Sequence, residues 1–112
     1  VDNIVAIVDY NKKQIDGPTD DVLSLGDLRA KYESFGWKVW ECNGNDMQEL
    51  VDTFNKIREN AHKGQSQILL AHTEMGMGVD FMMGTHKWHG VAPNDEQAAN
   101  ALSQLKETLG DY

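Results

Sequence analysis

Two segments of this 112-residue chain hold residue types that could take part in chemistry. In the first, residues 9–18, Asn11 directly follows an apolar stretch and a Gly-Pro turn comes at the end. An amide oxygen and the carbonyl oxygens of a turning loop suit a hard cation such as Mg²⁺, which commonly bridges protein to phosphate groups. In the second, residues 85–90, His89 precedes a glycine and could hydrogen-bond an anion or move a proton.

Both segments also have simpler interpretations, which the spacing alone leaves open. Asn, Asp and Gly are ordinary turn residues, and a loop histidine is often only a surface residue. His86 and His89 lie three apart, but no cysteine or nearby acid completes a zinc site. The roles of His72 and His86 stay undecided at this point. Packing against a neighbouring domain or subunit is favoured over a redox role for the methionines of the second segment's loop, Met75, Met77, Met82 and Met83.

Three strands are expected to position these segments. Residues 3–10 are almost uninterruptedly apolar and β-branched, which predicts a strand covered on both faces, as in a parallel sheet. Residues 37–42 and 67–73 predict two further strands. The long glycine-rich segment 74–93 is predicted to be a functional loop.

Helices are predicted between the strands and after the last of them. The first is expected to begin at the N-cap Ser24 and to end at Gly36. The second is expected to follow a cap at Asn45 or Asp46 and to end at Gly64. Its predicted apolar stripe consists of Met47, Leu50, Val51, Phe54, Ile57 and Ala61.

The last helix is predicted to begin at Asn94, with Gln97 in the third position of a capping box. Its predicted buried side consists of Ala98, Ala101, Leu102, Leu105 and Leu109. Alternation of strands and helices predicts the α/β class, with a parallel three-stranded sheet and flanking helices. Such a sheet is narrow, so we expect it to be part of a larger α/β unit. Ligands of such sheets bind beyond the carboxyl ends of the strands, where both segments lie.

Composition narrows the partners and the compartment. Hydrophobic residues make up 40% and charged residues 25% of the chain, as in globular proteins. The net charge of −8 repels nucleic acid and anionic lipid. No apolar run is long enough to span a membrane, and no signal peptide is visible. The single cysteine, Cys42, is expected to pack in the core, and the cytoplasm is the expected location. The other predicted core members are Trp37, Trp40, Phe54 and Ile68.

Several stretches together carry a family resemblance, in family order and across essentially the whole chain. They are Asp9 to Thr19, Phe35-Gly36-Trp37, Ala71-His72-Thr73, Gly76-Met77-Gly78, Lys87 to Gly90 and Ala92 to Glu96. The chain resembles part of the thiamine-diphosphate-binding domain of transketolase, of the type whose amino-terminal half can be a separate polypeptide. The resemblance implies that residues 1–112 are one partial thiamine-diphosphate-binding domain.

The resemblance also implies roles for individual residues. In this family a divalent ion, Mg²⁺, holds the cofactor's diphosphate. Asn11 matches an ion ligand, and Lys13 matches the residue that offers its backbone carbonyl to the ion. Ile15 matches an apolar residue near the thiazolium ring. His89 matches a histidine near the diphosphate and the reacting centre, where it assists proton transfer or orients groups.

The sequence departs from the family pattern at several points. The family's Gly-Asp-Gly motif, which supplies the charged metal ligand, does not occur, so the metal site is expected to be incomplete. Many relatives carry lysines where this chain has Met75 and Met77. The glutamate that activates the cofactor lies in a later domain of the family, usually on the partner subunit.

The implied activity is the transfer of a two-carbon ketol unit from a ketose phosphate to an aldose phosphate. It implies a dimeric assembly with a complementary transketolase segment or subunit, and we expect the isolated chain to be inactive. Two other hypotheses remain. One is another thiamine-diphosphate enzyme, of the deoxyxylulose-phosphate synthase or dihydroxyacetone synthase type. The other is a non-catalytic α/β interaction module.

Overall fold

The computed structural model describes residues 1–106 of the chain. In chain order the strands are β1 (Val5–Asp9), β2 (Lys13–Gln14), β3 (Gly17–Pro18), β4 (Lys38–Asn43) and β5 (Gln67–His72). The helices are α1 (Thr19–Val22), α2 (Leu28–Ser34), α3 (Met47–Glu59) and α4 (Asp95–Gln104). None of the helices in residues 1–106 is both long enough and apolar enough to cross a membrane.

The main sheet is parallel and three-stranded, in the order β1-β5-β4. This confirms the predicted fold class. The central strand β5 is covered on both faces, and Ile68, Leu69 and Leu70 are at most 1% exposed. The short strands β2 and β3 form a separate antiparallel pair, which the sequence patterns did not predict.

Helices cover opposite faces of this sheet. On one face Ile57 of α3 packs with Cys42 of β4 and Leu69 of β5. On the other face Leu28 and Tyr32 of α2 pack over a cluster that includes Ile68. The predicted burial of Cys42 and Ile68 is confirmed, and both predicted core tryptophans, Trp37 and Trp40, are half-buried against these clusters.

The prediction that the first strand is covered on both faces is wrong. Ala6 and Val8 pack on the α2 face, but Val5 and Ile7, which point to the α3 face, are 41% and 59% exposed. β1 is an edge strand, and among the described strands only β4 and β5 contribute residues to the α3-face cluster. Within residues 1–106, this face of β1 therefore remains open.

The first predicted helix starts later than expected. Its N-cap is Asp27, whose carboxylate accepts a hydrogen bond from the Ala30 amide, and not Ser24. The Ser24 hydroxyl instead accepts from the Gly26 amide. Because Gly26 has a left-handed φ of +58°, the helix cannot extend back through it. A separate short helix, α1, precedes this turn.

The second predicted helix begins as expected but is less buried. Asp46 is the N-cap, which confirms one of the two predicted caps, but α3 ends at Glu59 and not at Gly64. Ile57 is buried, whereas Phe54, predicted to be in the core, is 39% exposed. A narrow sheet covers only a narrow line of the helix surface, so the outer residues of the predicted stripe face solvent.

The last helix confirms the capping box of Asn94 and Gln97. Of its predicted buried side, Ala101 is buried and Ala98 half-buried, whereas Leu102 and Leu105 are 71% and 47% exposed. The remaining member, Leu109, lies outside the described residues. The helix is tied to the loop 74–93 through hydrogen bonds between Gln104 and Asp80.

Candidate functional site

A cleft of about 460 Å³ opens at the carboxyl edge of the sheet. The strands reach this edge together, because Asp9 of β1 pairs with Ala71 of β5 and Asn43 of β4 pairs with His72. The segments that follow the three strands therefore meet there. The lining consists of Asp9, Asn11, Asn45, Thr73, Glu74, Met75, Trp88, His89 and Gly90. The structure thus brings Asn11 and His89 to one cleft.

A tight turn holds Asn11. Its side-chain oxygen accepts a hydrogen bond from the Lys13 backbone N–H at 2.8 Å. Lys12 between them takes a left-handed φ of +58°, and its carbonyl accepts from the Thr19 amide. An amide oxygen has two lone pairs, so Asn11 Oδ1 keeps one acceptor site for a ligand. The sequence predicted that Asn11 lies in this loop, but it did not predict the turn that orients its side chain.

The two other residues of this loop to which the resemblance assigns a role do not line the cleft. Lys13 sends its ammonium group to Glu74, with Nζ 2.8 Å from Oε1, and its side chain is 14% exposed. Ile15 lies at the turn between β2 and β3 and is 66% exposed. Ile15 thus lies in the same segment as Asn11, and its apolar side chain faces solvent in the described part of the chain.

The indole of Trp88 fixes the segment that carries His89. Trp88 Nε1 donates to the Phe81 carbonyl at 3.0 Å, and the two rings pack edge to face. The His89 amide donates to the carbonyl of His86 at 3.0 Å, which closes a turn. The imidazole of His89 is therefore exposed at the cleft on an anchored turn, and His86 contributes backbone to that turn.

The cleft is also lined by two carboxylates, Asp9 and Glu74, to which the sequence analysis assigned no role. The Asp9 carboxylate accepts a hydrogen bond from the Thr73 hydroxyl. The Glu74 carboxylate accepts from Lys13 and from the Gly84 amide, and these bonds hold the pKa of Glu74 below its usual range. Two signals were available in the sequence: Asp9 ends an apolar strand, and Glu74 comes two residues after the end of the central strand. Residues 1–106 contain no group of three or more side chains suited to hold a metal ion by themselves.

The loop between β4 and α3 requires a residue without a side chain at position 44. A Cβ on Gly44 would lie 2.5 Å from Thr73 Cγ2 and 3.0 Å from Ala71 Cβ. Glycine at this position therefore allows the loop to lie against the end of β5. That contact brings Asn45 to the cleft, where its side-chain oxygen accepts from the Glu74 amide at 2.6 Å.

His72 has a different environment and does not line the cleft. Its Nε2 lies 2.8 Å from Glu41 Oε2, and its ring packs against Tyr10. The hydrogen bond from His72, followed by that from Arg29, holds the pKa of Glu41 below its usual range. This answers one question that the sequence left undecided: His72 ties β5 to β4.

Comparison with known proteins gives this architecture a family. Residues 1–110 match the model of the transketolase thiamine diphosphate binding domain. An apulose-4-phosphate transketolase subunit of Phocaeicola vulgatus is 39% identical over 109 residues, which are 97% of this chain and 38% of that protein. The 6-deoxy-6-sulfo-D-fructose transketolase subunit SqwG of a Clostridium species is 30% identical over 107 residues, which are 96% of this chain and 38% of that protein.

The fold agrees with this match. The crystal structure of transketolase from Campylobacter jejuni superposes with a TM-score of 0.80 at 24% identity, covering 92% of this chain and 16% of that chain. The α/β architecture and the family match together define a thiamine diphosphate binding domain. The chain belongs to the transketolase family. It spans about 38% of the length of the two subunits named above.

Proposed function

We propose that this chain forms part of the thiamine diphosphate and Mg²⁺ site of a transketolase. The observation that carries the proposal is the meeting of Asn11 and His89 on one cleft at the carboxyl edge of the sheet. Spacing along the sequence separates these residues widely, and parallel pairing of the strands joins them. The cleft lies where open α/β sheets bind their ligands.

The donor groups of this loop fit a hard cation. We assign as ion ligands the Asn11 side-chain oxygen, which lines the cleft, and the backbone carbonyl of Lys13, which belongs to the same turn although Lys13 is not part of the described lining. A carboxylate of an upstream Gly-Asp-Gly segment is assigned as the missing charged ligand. The chain is accordingly one partial cofactor-binding domain. Among the described residues, the cleft lining contains the carboxylates of Asp9 and Glu74 and no lysine or arginine side chain. A diphosphate would be repelled from such a lining unless a divalent cation lay between them.

The remaining roles concern position and proton transfer. Thiamine diphosphate supplies the carbanion chemistry, and the protein supplies position and electrostatics. His89, on its anchored turn, orients groups near the diphosphate and the reacting centre or assists proton transfer there. Ile15 is assigned to contact with the thiazolium ring. Ile15 is 66% exposed in this chain, so the surface that covers its side chain must come from the bound cofactor or from the complementary part of the enzyme.

We assign the complete enzyme the transfer of a two-carbon ketol unit from a ketose phosphate to an aldose phosphate, in the cytoplasm. The partner is a complementary transketolase segment or subunit in a dimeric assembly. Two observations support a partner: the relatives are named as subunits, and Val5 and Ile7 expose an apolar strand face. Since the named sugars of the relatives differ, activity should be measured with several pairs of ketose and aldose phosphates.

The binding test is a calorimetric titration of thiamine diphosphate in the presence of Mg²⁺. The chain is titrated alone and together with the complementary part of the enzyme, as wild type and as Asn11→Ala. We expect binding in the assembled enzyme and a loss of about tenfold or more in affinity in Asn11→Ala, because one of the few oxygen ligands is removed. Asn55→Ala, on the exposed surface of α3, is the matched control. Absence of binding both in the isolated chain and in the assembled enzyme would contradict the proposal and favour the non-catalytic α/β interaction module.

The activity test is a coupled transketolase assay on the same preparations. The isolated chain is expected to show no turnover, because the glutamate that activates the cofactor belongs to another domain in this family. Turnover of the isolated chain above the blank, lost in Asn11→Ala, would refute this part of the proposal.

A further inference from the structure

The carboxylate of Glu74 joins segments that are distant in sequence. Glu74 Oε1 lies 2.8 Å from Lys13 Nζ, although 61 positions separate the two residues. The same oxygen accepts a hydrogen bond from the Gly84 amide at 2.8 Å. The backbone N–H of Glu74 donates to Asn45 Oδ1 at 2.6 Å. One residue therefore connects three loops around the cleft.

The bond to Lys13 reaches the loop on which Asn11 lies. The Lys13 side chain is 14% exposed and that of Glu74 is 37% exposed, so the pair is partly shielded from water. Partial shielding strengthens such a pair relative to a fully exposed one. The backbone N–H of Lys13 is also the donor that holds Asn11 Oδ1. The orientation of Asn11 is thus linked to Glu74 through a single intervening residue.

The loop 74–84 is shaped to make this contact. Gly76 has a left-handed φ of +72°, and a Cβ there would lie 2.5 Å from Met82 Cβ. The chain therefore folds back closely on itself between Glu74 and Gly84. This fold brings the Gly84 amide to the carboxylate and fixes the Glu74 side chain against the loop that holds Lys13.

We propose that Glu74 is a positioning residue that fastens the Asn11–Lys13 turn to the loop 74–84, so that the Asn11 oxygen and the Lys13 carbonyl are held ready for the cation. The inference rests on the proposed function for its consequence, but the fastening itself is a property of this chain. We refer to the Glu74–Lys13 pair as the loop latch. Removing either charge should loosen the turn without unfolding the sheet, because both residues lie outside the core clusters.

The first experiment measures amide hydrogen exchange of the chain without cofactor or Mg²⁺. In Glu74→Gln and in Lys13→Met, the amides of Lys13 and Thr19 should exchange about three- to tenfold faster, the range for loss of a partly solvated charged hydrogen bond. The amides of β5 should not change. Glu33→Gln, which removes an exposed ion pair on α2, is the matched control and should leave Lys13 and Thr19 unchanged. Unchanged exchange at both amides in both latch variants would overturn the proposal.

The second experiment measures the affinity of the assembled enzyme for thiamine diphosphate with Mg²⁺. Each latch variant should weaken this affinity by about three- to tenfold. The variant that combines Glu74→Gln with Lys13→Met should bind the cofactor no more weakly than the single variants do. The charge exchange Lys13→Glu with Glu74→Lys should recover part of the loss, which a purely structural role of either side chain would not produce. Additive losses with no recovery would overturn the latch.

The two experiments separate the latch from the proposed function. If wild type binds no cofactor, the proposed function fails, while hydrogen exchange still decides whether Glu74 fastens the turn. If wild type binds the cofactor and the latch variants bind it equally well, the latch is refuted and the proposed function stands.

Discussion

Replacing Ile57 by alanine should destabilise the chain more than replacing Phe54, although phenylalanine loses more atoms. Ile57 is 3% exposed and belongs to the cluster with Cys42 and Leu69. Deletion of a buried isoleucine side chain to alanine costs about 2–5 kcal/mol, and the full burial of Ile57 places the expected cost near 3–4 kcal/mol. Phe54 is 39% exposed. Scaling the value of about 4 kcal/mol for a buried phenylalanine by the buried fraction gives about 2.4 kcal/mol as an upper value.

Urea denaturation followed by circular dichroism tests this ranking. We expect Ile57→Ala to lower the free energy of unfolding by about 1 kcal/mol more than Phe54→Ala, with unchanged m-values. Helical periodicity treats both residues as members of one apolar stripe and gives Phe54 the larger cost. A loss in Phe54→Ala equal to or greater than that in Ile57→Ala would refute the assignment of the α3 face.

The site and its surroundings lead to three further predictions. Gln67→Leu removes the buried acceptor of the Trp40 indole N–H and should cost about 2 kcal/mol in the same urea assay, whereas a stability equal to wild type would contradict the role of this bond. Glu41, whose pKa its histidine and arginine partners hold below the ordinary 4.5, contributes stability at neutral pH that is lost as pH falls through the lowered pKa. Glu41→Gln should therefore cost about 1 kcal/mol at pH 7 and nearly nothing at the acid end of a urea series, and a difference independent of pH would exclude this linkage. In the assembled enzyme His89→Ala should lower kcat about 100-fold in the coupled assay. His62→Ala, at an exposed position outside the described cleft lining, should retain activity.

Local signals in the sequence predicted much of the fold. The apolar runs predicted the bounds of β4 and β5 to within one residue. The caps Asp46 and Asn94 were predicted because a cap is a side-chain hydrogen bond to backbone only two or three residues away. At Ser24 the same signal failed, because Gly26 turns the chain before the helix can start.

Burial was predicted less well than secondary structure. Periodicity tells which residues of a helix share a face, but it does not tell how wide the surface opposite them is. Phe54 and Leu102 follow the apolar pattern and remain exposed, because a three-stranded sheet covers little of α3 and because α4 is bonded to a loop. The α3 face of β1 remains open for a related reason, because α3 packs against residues of β4 and β5.

The candidate site was predictable in position and not in detail. Placement after parallel strands, together with the family resemblance, located Asn11 and His89 at one edge. The contact between Lys13 and Glu74 was not predictable, because the two residues lie in separate loops and carry no local pattern. Distant pairs of this kind depend on how loops fold over an edge, which only three-dimensional structure defines.

The central claim is that Asn11 and His89 serve one cation and diphosphate site, and paramagnetic broadening tests it most directly. The chain, labelled at methionine and isoleucine methyl groups, is assembled with the unlabelled complementary part of the enzyme and thiamine diphosphate, and Mn²⁺ replaces Mg²⁺. Met75 lines the cleft with both residues, whereas Ile4 lies before β1 at the opposite edge of the sheet. We predict strong broadening at Met75 and much weaker broadening at Ile4, with the Met75 effect lost in Asn11→Ala and reduced in His89→Ala. Broadening at Met75 that is absent in wild type, or that persists unchanged in both variants, would contradict the claim.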